Sequence, residues 1–540
     1  MPFDWSNPYP TTRTPVFARN VVSTSHPLAA QAGVRMLQAG GNALDAILAT
    51  AAMLTVVEPN YNGLGGDAFA ILWDGKELHG LNSSGPAPRA WTPDYFRKRY
   101  GEDGSGFAKI PDRGWDTVTV PGGVGAWGAL HERFGTLPLS VLFAPAIEAA
   151  ERGVAVPPVI AAKWQNDAPL LKDYPGWAET FMPKGRAPEV GERFVFPAAG
   201  RVLRALVEKG IREFYEGGVA QAIAAWAKKT GGSMTAEDLA GFKPEWVKPA
   251  SMEYHGYELH EIPPNGQGIA ALMALGILKH FDLPSLGPDS PESQHLQIEA
   301  MKLAFADIRS HVGDPRAMRV SEGQLLDPDY LARRAALINP RKASMPVRGS
   351  FPSGGTVYLT AADEKGMMVS FIQSNYKGFG SGIVVPEYGI SLQNRGTGFS
   401  TNPDSPNVVA PGKRPYHTII PGFLTQGGKP RMSFGVMGGD VQPQGHIQTV
   451  IRMVDYNQQP QTACDAPRFK INTDFSVNLE ARADPALKGA LEAMGHKVKI
   501  DPVYYGESGA GQFIWRLSDD LEDGYVAASD TRRDGAACGF

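Results

Sequence analysis

The alternation of apolar and polar positions divides the chain into a helix-rich first part and a strand-rich last part. Over residues 29–37 apolar residues recur at helical spacing on one face, and from Ala43 to Val57 they occupy nearly every side. The first pattern predicts an amphipathic helix and the second a buried one. Gly40-Gly41 ends the first predicted helix, and Asn42 is expected to cap the second.

The rest of the chain continues this division. Residues 122–345 have mostly helical periodicity, with helices predicted at Ala144–Arg152 and Ser293–Arg309, for example. After Phe351 short runs of period two dominate, and a β-hairpin over residues 357–373 opens them. Helices in the first two-thirds and strands in the last third predict an α+β protein, with two layers of sheet covered by helices.

Two pairings of this hairpin are compatible with the sequence. The predicted strands Val357–Ala361 and Val369–Gln373 flank a short turn. A pairing without a bulge sets Thr356 opposite Gln373, whereas a one-residue bulge sets it opposite Ser374. Only the second pairing brings two hydroxyl groups together, and the sequence leaves both open.

Composition and charge exclude several classes of protein. Of the 540 residues 43% are hydrophobic, which is typical of a globular protein with a large core. With a net charge of −4, we expect no nucleic-acid partner. Residues Met1 to Pro8 form neither a basic nor an apolar leader, and the longest apolar stretch, Ala46–Val57, is too short for a membrane span. We therefore expect a cytoplasmic protein with no membrane partner.

The cysteines and histidines do not indicate a metal site. Cys464 and Cys538 are expected to be free thiols, and neither lies in a Cys-x-x-Cys segment. The eleven histidines are scattered. His295, Glu299 and Lys302 share one face of a predicted helix, which we interpret as a solvated or structural face. We predict neither a metal nor an organic cofactor.

A threonine after two glycines stands where a self-cleaving enzyme needs its nucleophile. The segment is Ser353-Gly354-Gly355-Thr356, at the start of the predicted hairpin. Cleavage between Gly355 and Thr356 would free an α-amino group, whose ordinary pKa of roughly 7.7–8.0 suits a general base for the threonine hydroxyl. The glycines allow the backbone geometry that self-attack needs. Taken alone, however, Gly-Gly-Thr is more often a plain hairpin turn.

Several short segments, in order over nearly the whole chain, resemble the signature of the γ-glutamyltransferases. In chain order they are Ser25–Ala30, Ala39–Ala46, Val57–Gly66, Val120–Gly122, Leu142–Ile147, Pro264–Gly268, Lys413–Pro415, Gly438–Gly439, Ala466–Phe469 and Ser529–Asp530. The resemblance implies a four-layer αββα sandwich of the N-terminal-nucleophile hydrolases. It also implies an inactive precursor that cuts itself before Thr356.

The implied products are a large subunit, residues 1–355, and a small subunit, residues 356–540. Their masses would be roughly 38 and 20 kDa. Because the strands of both fragments would belong to one core, we expect the two fragments to stay associated as a single structural domain.

The resemblance also implies catalytic roles. Thr356 is the nucleophile, and its freed amine is the general base. Ser374 stands where the family has a second threonine that hydrogen-bonds the nucleophile. Gly438 and Gly439 match the glycines whose N–H groups hold the oxyanion. From the residues alone, Ser374 is equally a strand-end hydroxyl bonded to the backbone, and the glycine pair equally marks a tight turn.

The positions that bind the γ-glutamyl head group in the family differ in this chain. Ser84 stands in place of the arginine that holds the substrate α-carboxylate, and Gly398-Phe399 replaces the segment whose aspartate holds the α-amino group. Tyr376 replaces an asparagine, and His417 and Thr418 replace paired serines. Losing the arginine and the aspartate together removes the two contacts that would select an amino-acid head group.

Arg395 is the candidate replacement for the missing cation. We predict that it binds the carboxylate of an acid without an α-amino group, with Tyr376, His417, Thr418 and Ser84 as further substrate-binding residues. The alternatives are a surface ion pair for Arg395 and packed core roles for Tyr376 and His417.

The predicted function is therefore a self-processing amidohydrolase that cleaves a small carboxylate-bearing amide through an acyl ester on Thr356. Relatives that hydrolyse oxamate, and others that act as cephalosporin acylases, fit this description. One alternative is a true glutathione hydrolase or γ-glutamyl transpeptidase that holds its substrate through other residues. The other is a relative that is not processed and keeps the fold for binding.

Overall fold

The structure is a computed structural model that describes residues 11–346, 355–502 and 508–540. The first ten residues, which contain the N-terminal segment examined for a leader, lie outside the described residues, and so do Ser353 and Gly354. Within the described part, no helix is both long and apolar enough to cross a membrane.

Two seven-stranded antiparallel sheets form the centre of the molecule. From edge to edge, sheet 1 contains Val16–Ala18, Tyr525–Ser529, Ala510–Arg516, Lys429–Met437, Gly422–Gln426, Tyr257–Glu261 and Ala250–Tyr254. In the same way, sheet 2 contains Ala536–Gly539, Val21–Thr24, Gly355–Ala362, Met368–Tyr376, Asp67–Trp73, Leu78–Ser83 and Glu245–Val247. Three small sheets contain Val154–Ala155 with Arg193–Phe194, Val384–Val385 with Ile390–Ser391, and Phe469–Ile471 with Val477–Glu480 and Val498–Asp501.

Helices cover the outer face of each large sheet. Over sheet 2 lie Pro27–Gln38, Ala43–Val57, Gly123–Phe134, Leu139–Leu142, Ala144–Arg152, Pro158–Leu171, Trp177–Phe181, Pro197–Lys209, Glu213–Glu216, Gly218–Thr230 and Ala236–Ala240. Over sheet 1 lie Gly268–Leu278, Pro291–His311, Glu322–Leu325, Pro328–Ala335, Val441–Val454, Pro460–Asp465 and Pro485–Ala493. The helix Pro93–Tyr100 packs in a small separate core.

Apolar cores separate the four layers. One lies between the helices and sheet 2, and another between sheet 1 and its own helices. Between the sheets, Phe69 and Ile372 of sheet 2 belong to the same core as Phe423 and Ile514 of sheet 1. Each sheet therefore buries both faces, and the predicted four-layer αββα sandwich is confirmed.

The predicted N-terminal helix pair is confirmed. The helices run from Pro27 to Gln38 and from Ala43 to Val57, and every residue of the second is buried. Asn42 begins the second helix with a capping box, because its side chain accepts from the N–H of Asp45 at 2.9 Å and the Asp45 carboxylate accepts from the Asn42 N–H at 3.0 Å. The apolar pattern and the capping box involve only residues close together in the chain, which explains why the sequence predicts both helices.

The hairpin adopts the pairing that brings Thr356 beside Ser374. Val357 pairs with Gln373, and the register shifts at an irregularity between Gly355 and Val357. The alternative that sets Thr356 opposite Gln373 is therefore wrong. Since residues alternate across a strand, Gln373 instead faces the helices, where its side chain donates to the carbonyl of Ala51 at 3.0 Å.

Turn chemistry explains this register. Asp363 and Met367 close the hairpin loop through a backbone bond of 3.1 Å. Gly366 has a φ of 91°, in the left-handed region that glycine adopts without steric cost. The Asp363 carboxylate also accepts from the N–H of Ala43 at 2.8 Å, so the turn is anchored to the buried helix.

Candidate active site

Thr356 lies between the two sheets, near one end of sheet 2. Along its strand Val357 faces the helices and Tyr358 faces sheet 1, so Thr356 also faces sheet 1. Its hydroxyl donates to Oγ of Ser374 at 3.4 Å and accepts from Nε2 of Gln442 at 3.3 Å. Both bonds are long, as is common in active sites without substrate. The residue is only 2% exposed.

Gly438 and Gly439 join a strand of sheet 1 to the helix Val441–Val454. Their φ values are 134° and 63°, and a side chain at Gly438 would approach the Cα of Gly509 to 3.0 Å. Their N–H groups donate to no acceptor in the described part of the chain. Two such groups beside a helix N-terminus are suited to hold an oxyanion.

Two glutamines that we did not predict as site residues connect these groups. Gln442 donates to the Thr356 hydroxyl and accepts from the N–H of Ile420 at 2.8 Å. Gln267 donates to the carbonyl of Gly439 at 2.9 Å and to that of Thr418 at 2.5 Å. Gln267 belongs to one of the segments that carry the family resemblance, which was the available signal for it.

Arg395 is fully buried beside Tyr376 and Thr418. Its Nη1 donates to Oγ1 of Thr418 at 2.7 Å, and its guanidinium carbon lies 4.1 Å from the centre of the Tyr376 ring. Its Nε and Nη2 atoms have no hydrogen-bond partner among the described residues. Burial lowers the pKa of Arg395 to about 10, which leaves it charged at neutral pH. The alternative of a surface ion pair is wrong.

Tyr376 connects the nucleophile to this buried cation. Its N–H donates to Oγ of Ser374 at 2.7 Å, and the same oxygen accepts from Thr356. Its φ of 77° is uncommon for a bulky residue, and such strain is often found at functional sites. Ser374 therefore accepts both a backbone bond and the hydroxyl bond to Thr356, and the tyrosine ring lies against Arg395.

Asp67 is a further site residue that sequence reasoning missed. It lies opposite Ser374 on the neighbouring strand, and its Oδ2 is 3.1 Å from Nε2 of His417. Burial raises the pKa of Asp67 to about 7, against the opposing effect of Arg395. Burial and Arg395 together lower the pKa of His417 well below its usual value, so its imidazole is neutral. The signal for Asp67 in the sequence was its position as a carboxylate at the start of an apolar strand.

Replacing Asp67 by asparagine is expected to reduce the pH dependence of stability. The pKa of Asp67 is raised from 3.8 to about 7 on folding, so the folded protein binds the proton of this carboxyl more tightly than the unfolded chain does. The stability that this proton contributes is fully present below about pH 4 and is lost as the pH rises to about 7. The loss amounts to roughly 4 kcal/mol. We expect the Tm of the wild type to fall more steeply over this range than that of Asp67→Asn.

Thermal melts of both proteins at half-unit pH steps measure this difference. Burial also raises the pKa of Glu58 to about 7, but Glu58 is present in both proteins, so the difference between the curves isolates Asp67. Parallel curves would show that Asp67 is ionised in the folded protein throughout this range.

Ser84 is buried in a network of two asparagines. Its hydroxyl donates to Oδ1 of Asn82 at 2.8 Å and accepts from Nδ2 of Asn265 at 3.2 Å. The only proton of this hydroxyl is thus engaged, so it has no proton left to donate to a substrate. The substrate-binding role of Ser84 stays a prediction.

The structure brings His295, Glu299 and His496 together, with ligand atoms at distances that would suit a metal ion. The Lys302 ammonium lies among them and donates to Glu299 at 2.8 Å and to Nδ1 of His496 at 3.1 Å. Burial, Lys302 and His295 together lower the pKa of His496 to about 3. All of these side chains are buried, so the helix face is structural and not solvated.

Comparisons with known proteins match this architecture. The γ-glutamyltranspeptidase family profile matches residues 29–540. The chain is 34% identical to the glutathione hydrolase-like YwrD proenzyme of Bacillus subtilis, over 97% of this chain and 98% of that one. It is also 34% identical to the oxamate amidohydrolase proenzyme of Klebsiella pneumoniae, over 95% and 97% of the two chains.

A solved structure is similar over the full length. The cephalosporin acylase of Bacillus halodurans superposes with a TM-score of 0.94 at 46% identity, covering 100% of this chain and 99% of that one. The chain therefore belongs to the γ-glutamyltranspeptidase family and is an N-terminal-nucleophile hydrolase.

Proposed function

We propose that the chain cuts itself between Gly355 and Thr356 and then hydrolyses a small amide whose acyl part carries a carboxylate. The observation that carries this proposal is the buried guanidinium of Arg395. Burying a cation without a full set of partners is costly, so Nε and Nη2, which bond to none of the described residues, favour an anionic ligand. The pair of bonds they offer suits a carboxylate.

The described groups support the following reaction. The Thr356 hydroxyl attacks the amide carbon while its proton passes to the freed α-amine. The N–H groups of Gly438 and Gly439 hold the oxyanion, and Ser374 and Gln442 orient the attacking oxygen. The C–N bond then breaks, and the amine of Thr356 returns the proton to the leaving amine. Water attacks the remaining acyl ester, and the acid is released.

The interleaving of strands supports association of residues 1–355 with residues 356–540 after cleavage. In sheet 2, Val21–Thr24 and Asp67–Trp73 from the large fragment flank the two strands of the hairpin from the small fragment. Separating the fragments would expose ladder hydrogen bonds and the apolar core between the sheets. The two fragments then act as one structural domain. The cytoplasmic location stays a prediction.

Two relatives have names that are compatible with this class of substrate. One is called an oxamate amidohydrolase, and oxamate is a small amide that carries a carboxylate. Another is a cephalosporin acylase. Neither of the substrates in these names requires an α-amino group on the acyl part. This agrees with a site in which Arg395 is the cation that binds the substrate carboxylate.

A matched pair of substrates tests the proposal. Glutaryl-p-nitroanilide and γ-glutamyl-p-nitroanilide differ only in the α-amino group, and we expect the glutaryl compound to be hydrolysed with the higher kcat/KM. Ammonia release from oxamate tests the smallest acyl group. A strong preference for the γ-glutamyl compound, with acceleration by glycylglycine, would support a true transpeptidase instead and contradict the proposal.

A further inference from the structure

A separate cavity lies beside the edge strand Glu245–Val247 of sheet 2. Its volume is about 490 Å³, which is within the usual range of small-molecule sites. The segment 315–324 contributes most of the other lining residues, and Asn82, Arg414 and the pair Pro263–Pro264 complete the lining. None of the residues that we place in the reaction or at the substrate carboxylate lines this cavity, so it is distinct from the candidate active site.

Part of the lining is apolar and held in place. The rings of Pro263 and Pro264 restrict the backbone on one side of the cavity. Met318 and Val320 also line the cavity, and they pack against the core between sheet 1 and its helices. These residues therefore form a surface that suits the apolar part of a small ligand.

Glu322 is a negative group in the wall of this cavity. Its side chain is half-buried and makes no hydrogen bond or ion pair with the described residues. Burial raises the pKa of Glu322, because apolar surroundings disfavour the ionised carboxylate. A cation bound beside the carboxylate would oppose this effect. The position of Glu322 therefore favours a ligand that carries an ammonium group.

Arg414 offers a hydrogen-bond donor to the same cavity. Its Nε donates to the carbonyl of Ser84 at 2.9 Å, and its Nη1 donates to the carboxylate of Glu245. These two bonds fix the guanidinium, whereas Nη2 makes no hydrogen bond with the described residues. A fixed, charged donor of this kind suits a carboxylate. Arg414 is also one of the charges that lower the pKa of Asp67, so it links the cavity with the candidate active site.

We propose that this cavity binds a free amino acid with an apolar side chain. The ammonium group of the amino acid pairs with Glu322, its carboxylate accepts from Arg414, and its side chain lies against the prolines and Met318. A ligand with only one of the two charges would leave either Glu322 or Nη2 of Arg414 without a partner. The inference goes beyond the proposed function, because the cavity is separate from Thr356 and Arg395.

Three ligands of similar size test the proposal by isothermal titration calorimetry. L-Leucine carries both charges, L-leucinamide carries only the ammonium group, and 4-methylpentanoate carries only the carboxylate. We expect L-leucine to bind the wild type with a Kd about tenfold lower than that of either single-charge ligand. Glu322→Gln should weaken the binding of L-leucine by about tenfold and leave that of 4-methylpentanoate unchanged.

Glu292→Gln is the matched control. Glu292 and Glu322 both lie in the first turn of a helix that follows a serine N-cap, but Glu292 is exposed and does not line this cavity. Its replacement should leave the Kd of L-leucine unchanged. The proposal is overturned if the wild type does not bind L-leucine, if a single-charge ligand binds as tightly, or if Glu322→Gln binds L-leucine as well as the wild type does. An equal loss in Glu292→Gln would also overturn it.

Discussion

Replacement of Thr356 by alanine is expected to give a single uncut chain of 58.0 kDa with no measurable amidase activity. The hydroxyl would be lost both as the attacking group of self-cleavage and as the nucleophile of turnover. Removing a nucleophile lowers kcat by on the order of 10⁶ where the groups act as a unit. Intact mass under denaturing conditions and amide hydrolysis are the two measurements.

Thr360→Ala is the control for this variant. Thr360 lies further along the same strand on the same face, and its hydroxyl bonds Oγ of Ser433 at 2.6 Å and the carbonyl of Val369 at 2.9 Å. Loss of this hydroxyl removes two buried bonds at a cost of about 1 kcal/mol each but leaves the cleavage site unchanged. A Thr356→Ala protein that is cut before residue 356, or that hydrolyses amides, would refute the assignment of the nucleophile.

Replacement of Arg395 by methionine is expected to lower kcat/KM for glutaryl-p-nitroanilide by about 10²–10³. The side chain is buried and has two polar atoms that bond to nothing in the described part of the chain, so a substrate carboxylate would meet a desolvated cation. Truncating one partner of such a buried charge pair costs about 2–5 kcal/mol. Methionine keeps much of the volume, which limits the change in packing.

A neutral substrate separates binding from folding in this experiment. Butyryl-p-nitroanilide lacks the carboxylate, so its hydrolysis should change far less in Arg395→Met, and the preference for glutaryl should collapse. Arg395→Lys should recover only part of the preference, because an ammonium lacks the planar two-bond geometry. Arg204→Met, which removes an exposed arginine paired with Glu151, is the surface control. Equal losses on both substrates would show that Arg395 is structural.

The buried pair Asp67 and His417 affects how well the positive charge of Arg395 is stabilised. The carboxylate favours the cation, and the neutral imidazole adds no competing positive charge. Both side chains lie at the same end of sheet 2 as Ser374. Replacing Arg395 by a neutral residue such as methionine is therefore expected to raise the pKa of Asp67 further, because the charge that opposes the effect of burial is removed.

Much of this molecule could be predicted from the sequence because the relevant signals are local. The capped helix pair over residues 27–57, the hairpin after Thr356 and the glycine pair at 438–439 depend on neighbours in the chain. Capping, apolar periodicity and the left-handed preference of glycine act over a few residues. The short segments that match the family signature in order then indicated the layer architecture through the family resemblance.

The tertiary structure alone decided which distant groups meet. The bond from Gln442 to the nucleophile and the burial of Arg395 beside Thr418 both depend on how segments far apart in the chain pack together. So does the row formed by Asp67, Ser374 and Thr356 on neighbouring strands. Such contacts join residues far apart in the chain, and their energies come from desolvation and packing, which no local pattern of the sequence encodes.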